Sequence, residues 1–272
     1  MSQFVQFTMK LAVTIVLGAA ATANITDLGD IAVGGDGSGS APIGTGVRSG
    51  DGTLVDSTTY GGSSYGPFGF HPTDGSNGSA NLPYVDGVFV PRGSTVITSG
   101  GTTFQFPSTS GYRYDAIRNA AAVYDNYYQH TWPIQLSDQP GVDRRGVGMH
   151  SNNGITYDLA DLRQDGYVFD GVHGVAGISD QALPNPSPSI EAWVIVDGVQ
   201  QYHQTFLDAG LTWEAFTVPL SANAQRLTIA ITDHNHNNSA DWGVFADLAL
   251  VPEPNSVLLL VVVAGLCRRV GR

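Results

Sequence analysis

The chain has 272 residues; 34 are glycine, and charged residues make up only 13%. This composition favours a loop-rich β protein and argues against a helical bundle or a coiled coil. The formal net charge of −12, with Lys10 as the single lysine, disfavours a nucleic-acid partner because an acidic surface repels phosphate groups. Neutral sugars and divalent cations suit such a surface better.

The first 23 residues have the features of a secretory signal peptide. Lys10 supplies the positive charge, Leu11–Ala20 is a short apolar run, and Ala21-Thr22-Ala23 fits a cleavage site of small residues. A buried first strand and a membrane anchor are the alternatives, but the apolar run is too short to span a bilayer. The only cysteine, Cys267, lies in the C-terminal tail, so we expect a secreted body without disulfides.

Residues 24–83 are rich in glycine, serine, aspartate and threonine and show no helical period. We expect long loops with a few short edge strands, which elaborate the domain that follows; a disordered linker is the alternative. Four aromatic residues favour a segment that packs down as a cover: Tyr60, Tyr65, Phe68 and Phe70.

From residue 84 to residue 250, short apolar stretches alternate with glycine and proline turns. The pattern predicts one short helix over Tyr114–Val123, a helical turn over Ala160–Arg163, and inward-facing side chains at Val168 and Val172. Asp197-Gly198 is the best hairpin signal. The predicted strands are residues 88–90, 95–98, 103–106, 154–159, 166–178, 190–196, 199–206, 213–220 and 226–232, with a returning strand after Trp242. This spacing of turns predicts an all-β fold, a β-sandwich of the jelly-roll type.

The last two strands flank a very polar loop, Asp233–Asp241. Such a loop is a solvated turn, a metal loop or one wall of a binding site. Oxygen-bearing side chains at its first, third, fifth, seventh and ninth positions resemble the start of a calcium-binding loop. The candidate metal ligands are Asp233, Asn235, Asn237 and Asp241.

The calcium pattern is incomplete, because Val244 stands where a bidentate glutamate would complete it. We therefore expect weak calcium binding, on the order of 10⁻⁴–10⁻³ M. A transition metal on His234 and His236 is one alternative. A hydrated turn whose Asn side chains bond their own backbone is the other.

The C-terminal tail, residues 251–272, carries an ordered set of features. Val251-Pro252-Glu253-Pro254 is followed by an apolar run, Val257–Cys267, and then by Arg268 and Arg269. This arrangement resembles the PEP-CTERM sorting signal of bacteria. The resemblance implies transient membrane insertion, removal of the tail by an exosortase, and release to the cell surface or the exopolysaccharide. An ordinary C-terminal anchor is the alternative.

Several segments between residues 140 and 250, taken in order, resemble the NPCBM family, which is named as a carbohydrate-binding module. They include Gly146-Val147-Gly148-Met149-His150, Gly154–Leu159, Val194–Gly198 and Asp241–Leu248. The resemblance implies a galactose-binding-like jelly roll and a calcium ion held within it. On this basis residues 84–250 form the NPCBM-like domain.

Carbohydrate recognition needs an aromatic face for the sugar ring and planar polar groups for its hydroxyls. Trp242 beside Asp241 and His234 supplies both types, and the turn after His150 would line the facing loop. The predicted ligand-binding residues are His150, Asn152, Asn153, His234, Asp241 and Trp242. The alternative places Trp242 in the core and gives His150 a turn-capping role.

The residues 24–250 contain no G-x-S-x-G or H-E-x-x-H motif and no cysteine nucleophile. We therefore expect a non-catalytic, secreted carbohydrate-binding protein of the cell surface or extracellular matrix. A structural surface protein without sugar binding is the main alternative, and a glycan-acting hydrolase is a weaker one.

Overall fold

The structure is a computed structural model, and it describes residues 25–66, 68–125, 127–182, 187–207, 210–234 and 240–252. These residues form short strands, two helices, α1 (Leu28–Ile31) and α2 (Leu159–Gln164), and a 3₁₀ turn at Ser76–Gly78. The strands are β1 (Thr26–Asp27), β2 (Gly46–Val47), β3 (Leu54–Val55), β4 (Ser63–Tyr65), β5 (Phe70–Pro72), β6 (Val85–Phe89), β7 (Ser94–Val96), β8 (Thr103–Gln105), β9 (Tyr112–Tyr114), β10 (Ile117–Asn119), β11 (Ala121–Asp125), β12 (His130–Pro133), β13 (Gly146–His150), β14 (Asn153–Asp158), β15 (Gly171–Ile178), β16 (Ser189–Val196), β17 (Val199–Leu207), β18 (Trp213–Pro219), β19 (Arg226–Asp233) and β20 (Trp242–Val251).

Two antiparallel sheets dominate the fold. An eight-stranded sheet has the order β18-β15-β20-β13-β10-β2-β3, with β1 paired to β20. A six-stranded sheet has the order β17-β16-β19-β14-β6-β5. Three two-stranded ribbons, β4-β9, β7-β8 and β11-β12, complete the described strands. The predicted all-β sandwich of the jelly-roll type is confirmed.

The main core lies between the two large sheets. Val147 and Phe245 come from the eight-stranded sheet, and Ile155, Tyr157 and Ile229 come from the six-stranded one; all are fully buried in one apolar cluster. Each aliphatic or aromatic side chain buried in this way contributes roughly 1.5–3 kcal/mol relative to exposure. The alternation of apolar residues along the strands places these side chains on the inner faces.

Both sheets are also covered on part of their outer faces. The β7-β8 ribbon packs Phe104 and Phe106 over Trp193 of the six-stranded sheet. The segment from β11 to Leu136 covers Val244 and Ala246 of the eight-stranded sheet. Strands covered on both faces lose simple alternation. This explains why Ile229, Ala230 and Ile231 are all buried.

The segment that precedes residue 84 supplies β1 to β5, so strands from it pair in both large sheets. Asp27 caps α1 by accepting a hydrogen bond from the backbone N–H of Gly29 at 2.8 Å. The buried carboxylate of Asp30 accepts from the N–H groups of Gly37 at 2.7 Å and Ala41 at 2.5 Å. Aspartates thus fix the backbone of a glycine-rich segment through short local turns.

A buried ion pair ties this N-terminal segment to the body. Arg118 and Asp115 are both fully buried, and Nε of Arg118 lies 2.5 Å from Oδ2 of Asp115. The guanidinium also donates to the carbonyl oxygens of Gly44 at 2.5 Å and Thr59 at 2.8 Å. One side chain therefore holds two distant loop segments against β10.

The predicted helix over Tyr114–Val123 is wrong. These residues form the end of β9, β10 and the start of β11, and Asp115 and Ala120 both have positive φ, which interrupts any helix. Alanines are needed here for packing, because β11 lies directly on Gly148; a Cβ at Gly148 would collide with the carbonyl oxygen of Ala121. Tertiary packing overrides the helix propensity of alanine.

Three further predictions can be compared with the structure. Asp197 and Gly198 have φ of 49° and 80° between β16 and β17, which confirms the hairpin turn. Val172 is buried as predicted, but Val168 is 58% exposed because it precedes β15 and lies outside the sheet. The strand, loop, strand order of residues 226–250 is confirmed, although the two strands belong to different sheets. Within the described residues, no helix is long and apolar enough to cross a membrane.

Candidate functional site

Most of the predicted site residues converge at one end of the sandwich. The turn between β13 and β14 carries His150, Asn152 and Asn153, and it meets the residues that flank the Asp233–Asp241 loop. The backbone N–H of Ser151 donates to the carbonyl oxygen of Asp241 at 2.9 Å, and His150 pairs with Trp242 across β13 and β20. The sequence therefore predicted this proximity correctly.

The same residues are buried, which the sequence did not predict. His150, Asn152, Asn153, Asp233 and Asp241 are all at most a few per cent exposed. Their side chains bond to each other and to neighbouring protein segments, as the next paragraphs describe. A sugar has no access to side chains that are buried and paired in this way, so this geometry gives them the role of an internal polar network.

Asp233 is the centre of this network. Its Oδ2 accepts hydrogen bonds from the N–H of Ser110 at 2.9 Å, from Nδ2 of Asn152 at 2.9 Å, and from the hydroxyl of Ser110. Asn152 has a φ of 63°, and its Nδ2 also donates to the carbonyl oxygen of Tyr112 at 2.8 Å. The segment around Ser110 therefore covers the predicted site and satisfies its polar groups.

The other two residues of the turn are equally enclosed. Oδ1 of Asn153 accepts from the hydroxyl of Ser49 at 2.5 Å, and its Nδ2 donates to the carbonyl oxygen of His150 at 2.8 Å. Burial lowers the pKa of His150 to about 4, so its imidazole is neutral at neutral pH. Its ring lies 5.5 Å from the ring of Tyr114. His150 is therefore a packed, uncharged side chain.

Asp241 differs from Asp233 in having an unused oxygen. Its Oδ1 accepts from the N–H of Ser189 at 2.8 Å, whereas Oδ2 is buried with no hydrogen-bond partner among the residues that the structure describes. Burial is the main cause that raises the pKa of Asp241 to about 8, and the negative charge of Asp233 adds to the effect. A cation or a proton would stabilise this carboxyl group.

Trp242 is only partly buried, but it packs against the main core rather than standing free. His234 is more accessible, with 42% of its side chain exposed, and its Nδ1 lies 3.3 Å from Oε1 of Glu191. His203 approaches the same oxygen at 3.7 Å. Burial acts to raise the pKa of Glu191, but hydrogen bonds from His203, His234 and Thr232 outweigh it and lower that pKa.

Three of the residues in the predicted calcium loop cannot be placed. Asn235 and Asn237, like His236, lie outside the described residues. Within the described ranges, no group of three or more His, Cys, Asp or Glu side chains is arranged to hold a metal ion. The predicted ligand set Asp233, Asn235, Asn237 and Asp241 thus stays a prediction.

The structure shows an exposed aromatic cluster that the sequence analysis missed. Tyr127 and Tyr128, at the tip of the β11-β12 hairpin, are 82% and 63% exposed. Their rings lie 4.9 Å apart, and His130 lies 4.4 Å from the ring of Trp132. We call Tyr127, Tyr128, His130 and Trp132 the hairpin aromatic patch.

A single aspartate organises the patch. Oδ1 of Asp125 accepts from the N–H groups of Tyr127 at 2.7 Å and Tyr128 at 3.1 Å, and Oδ2 accepts from the indole N–H of Trp132 at 3.5 Å. Aromatic faces are thus held next to a carboxylate and an imidazole. The density of aromatic residues in YDNYYQHTW was the available sequence signal.

A family model described as "NPCBM/NEW2 domain" matches residues 108–251. No curated protein matches the chain. Among solved structures, the chain is similar to the M60 catalytic domain with the CBM51-1 and CBM51-2 domains from Clostridium perfringens ZmpB. That match has 26% identity and a TM-score of 0.37, and it covers 41% of this chain and 11% of the other.

Two further structures are similar. Tandem CBM51 modules of Sp3GH98 from Streptococcus pneumoniae SP3-BS71 match at 19% identity with a TM-score of 0.41, over 51% of this chain and 41% of the other. CBM51 from Clostridium perfringens GH95, in complex with methyl-galactose, matches at 15% identity with a TM-score of 0.35, over 71% of this chain and 94% of the other. The chain thus spans less than half the length of the first two of these structures.

Proposed function

The chain belongs to the NPCBM/NEW2 domain family, and from this premise we propose that it is a non-catalytic protein that binds carbohydrate through the hairpin aromatic patch. The observation that carries the proposal is the exposure of Tyr127 and Tyr128 at the tip of a hairpin that lies inside the matched range. Exposed aromatic clusters are unusual on a soluble protein unless they meet a ligand or a partner.

The chemistry of the patch suits a sugar. Aromatic faces contact the apolar side of a pyranose ring, and nearby planar polar groups accept and donate hydrogen bonds to its hydroxyls. Asp125 and His130 supply such groups next to the rings. Because Asp125 fixes the backbone at both tyrosines, the platform is organised before a ligand arrives, and this reduces the entropy lost on binding.

The experiment is a glycan array followed by affinity electrophoresis of the full chain in gels containing the retained polysaccharide. We expect the double variant Tyr127→Ala/Tyr128→Ala to lose at least about tenfold in affinity, since aromatic anchors at binding sites are commonly worth about 2 kcal/mol or more. Tyr65→Ala is the matched control, because Tyr65 is 76% exposed but lies on the β4-β9 ribbon.

Unchanged retention of the double variant would reject the patch as the binding surface. Equal losses in the double variant and in Tyr65→Ala would reject it as well. No retention of the wild-type chain on any glycan would favour a structural surface protein without sugar binding.

We also propose that the protein is secreted and then sorted. The support is in the sequence: residues 1–23 have signal-peptide features, and residues 251–272 resemble a PEP-CTERM signal, which implies an exosortase as a transient partner. Except for residues 251 and 252, these segments lie outside the described residues. The proposed location of the mature protein, residues 24–250, is the cell surface or the exopolysaccharide.

A weak calcium site at the Asp233–Asp241 loop is part of the same proposal. The buried, unpaired Oδ2 of Asp241 fits a cation, because a bound charge would offset both the burial and the repulsion from Asp233. Asp233 fits less well, since Ser110 and Asn152 already bond to its carboxylate. Asp241 is therefore the carboxylate ligand that we expect to hold calcium.

A further inference from the structure

Arg113, on β9, is a buried cation whose hydrogen bonds are incomplete. The residue is only 8% exposed, and neither Nε nor Nη1 has a hydrogen-bond partner in the described part of the chain. Burial is the main cause that lowers the pKa of its guanidinium. A buried charge without a partner destabilises a protein, so this arrangement calls for a counterpart.

The nearest carboxylate is engaged elsewhere. The charge of Asp51 acts on Arg113, but Oδ2 of Asp51 lies 2.7 Å from Nη2 of Arg48. Its Oδ1 accepts from Nε of Arg48 at 3.2 Å and from the N–H and hydroxyl of Thr53 at 3.1 Å and 2.8 Å. Asp51 therefore neutralises Arg48, and the repulsion between Arg48 and Arg113 remains.

His71, on β5, is a second buried group with an unused atom. Its Nε2 has no hydrogen-bond partner within the described ranges. Burial lowers the pKa of His71, the charge of Arg113 lowers it further, and Asp51 acts in the opposite direction. His71 and Arg113 are thus close enough to influence each other, and the imidazole is neutral and free to donate one hydrogen bond.

A glycine turn brings these two groups to the same place. Gly50 packs directly on the guanidinium, and a Cβ at this position would collide with Nη2 of Arg113. A Cβ at Gly52 would lie 3.4 Å from the carbonyl oxygen of Pro72, the residue after His71. The Arg48–Asp51 pair on this turn is 35% and 45% exposed at its side chains, so the cluster lies just below the surface.

We propose that Arg113 and His71 form a second binding site, which takes the anionic oxygens of an acidic sugar residue, either a carboxylate or a sulfate ester. A guanidinium is the side chain best suited to such oxygens, because it is always charged and offers several donors in one plane. This inference rests on the proposed glycan-binding function and gives it a preference for acidic residues. The site is separate from the hairpin aromatic patch.

The experiment measures the melting temperature of the full chain with three probes: oligogalacturonate, an oligosaccharide of sulfated carrageenan, and a neutral galactan oligosaccharide. A salt concentration of about 0.15 M screens the net charge of −12 beyond about 8 Å, so that local contacts decide the result. At about 100 times the dissociation constant, an acidic probe should raise the melting temperature by about 5–10 °C.

Arg113→Met should abolish this rise while leaving the melting temperature without probe unchanged or higher, because it removes an unpaired buried charge. Arg145→Met is the matched control; it removes one positive charge from an exposed residue and should keep the rise. The carboxylated and sulfated probes separate the two sources of anionic oxygen.

Several outcomes would overturn the inference. One is no rise with either acidic probe; this also covers a guanidinium already satisfied by ordered water. Another is the same rise in Arg113→Met as in the wild type. If Arg113→Met does not fold, Arg113→Lys replaces it, and an undiminished rise in that variant counts against the site. Patch-dependent retention of neutral glycans without an acidic effect would reject this inference and leave the proposed function intact.

Discussion

Replacing Arg118 with methionine tests whether the buried pair Arg118–Asp115 holds the N-terminal segment on the sandwich. Both side chains are fully buried, and the guanidinium donates to both oxygens of Asp115 at 2.5 Å and 2.6 Å. It also donates to the carbonyl oxygens of Gly44, Asp56 and Thr59. Arg118→Met keeps much of the packing volume but removes every one of these donors.

The magnitude follows from what the substitution leaves behind. Asp115 would keep only the backbone N–H groups of Gly61 and Tyr124, each at 2.7 Å, for a carboxylate that remains buried. Removing one partner of a buried ion pair costs about 3–5 kcal/mol. For a chain of this size we expect a loss of roughly 4 kcal/mol and a fall in melting temperature of about 8–16 °C.

The assay is urea unfolding, followed by circular dichroism and by tryptophan fluorescence to check that the transitions coincide. Arg48→Met is the matched control, because Arg48 and Asp51 form an ion pair with the same spacing along the chain but with 35% and 45% of their side chains exposed. Such exposed pairs contribute about 0–1 kcal/mol. If Arg118→Met lost no more free energy of unfolding than Arg48→Met, the argument that this pair holds the loops would be refuted.

Three other predictions concern Asp241, calcium and processing. The pKa of Asp241 is about 8 in the folded protein, against 3.8 ordinarily. Its contribution to stability is therefore complete below about pH 4 and is lost as the pH rises through 8. In calcium-free buffer, the unfolding free energy should fall over this range by up to about 1.4 kcal/mol per pH unit. Asp241→Asn should flatten that slope, and equal slopes in both proteins would contradict the prediction. Calcium at about ten times its dissociation constant should raise the wild-type melting temperature by about 3–6 °C, and Asp241→Asn should lose the rise. A wild-type melting temperature that is the same with calcium and with chelator would remove the metal site. The intact mass of the secreted protein should correspond to a start near Asn24 and the loss of residues 257–272; a mass that retains this tail would reject the sorting signal.

The sequence by itself determined those features that depend on neighbours along the chain. Alternating apolar residues gave Arg226–Asp233 and Asn153–Asp158 as strands, because side chains in a strand point alternately to its two faces. Asp197-Gly198 gave a hairpin, because its turn needs two residues that accept positive φ. The composition likewise indicated an all-β sandwich.

The candidate site was only half predictable. The sequence brought His150 and Asn152 together with Asp241, since the turns between strands of one sandwich end meet in space. It could not show that Ser110 and Ser49 would cover them, because those contacts join residues 42 to 123 positions apart and no local pattern encodes them. The predicted site is therefore an internal network.

Only the tertiary structure decided which polar and aromatic groups are exposed. Alanines 120–122 suggested a helix, but their packing against Gly148 holds them in extended structure and sends the chain out to the exposed tip at Tyr127 and Tyr128. Arg113 and Arg118 look alike in the sequence, five residues apart, yet one has a buried carboxylate partner and the other does not. Burial and pairing depend on which distant segments pack together, and that is a property of the whole fold.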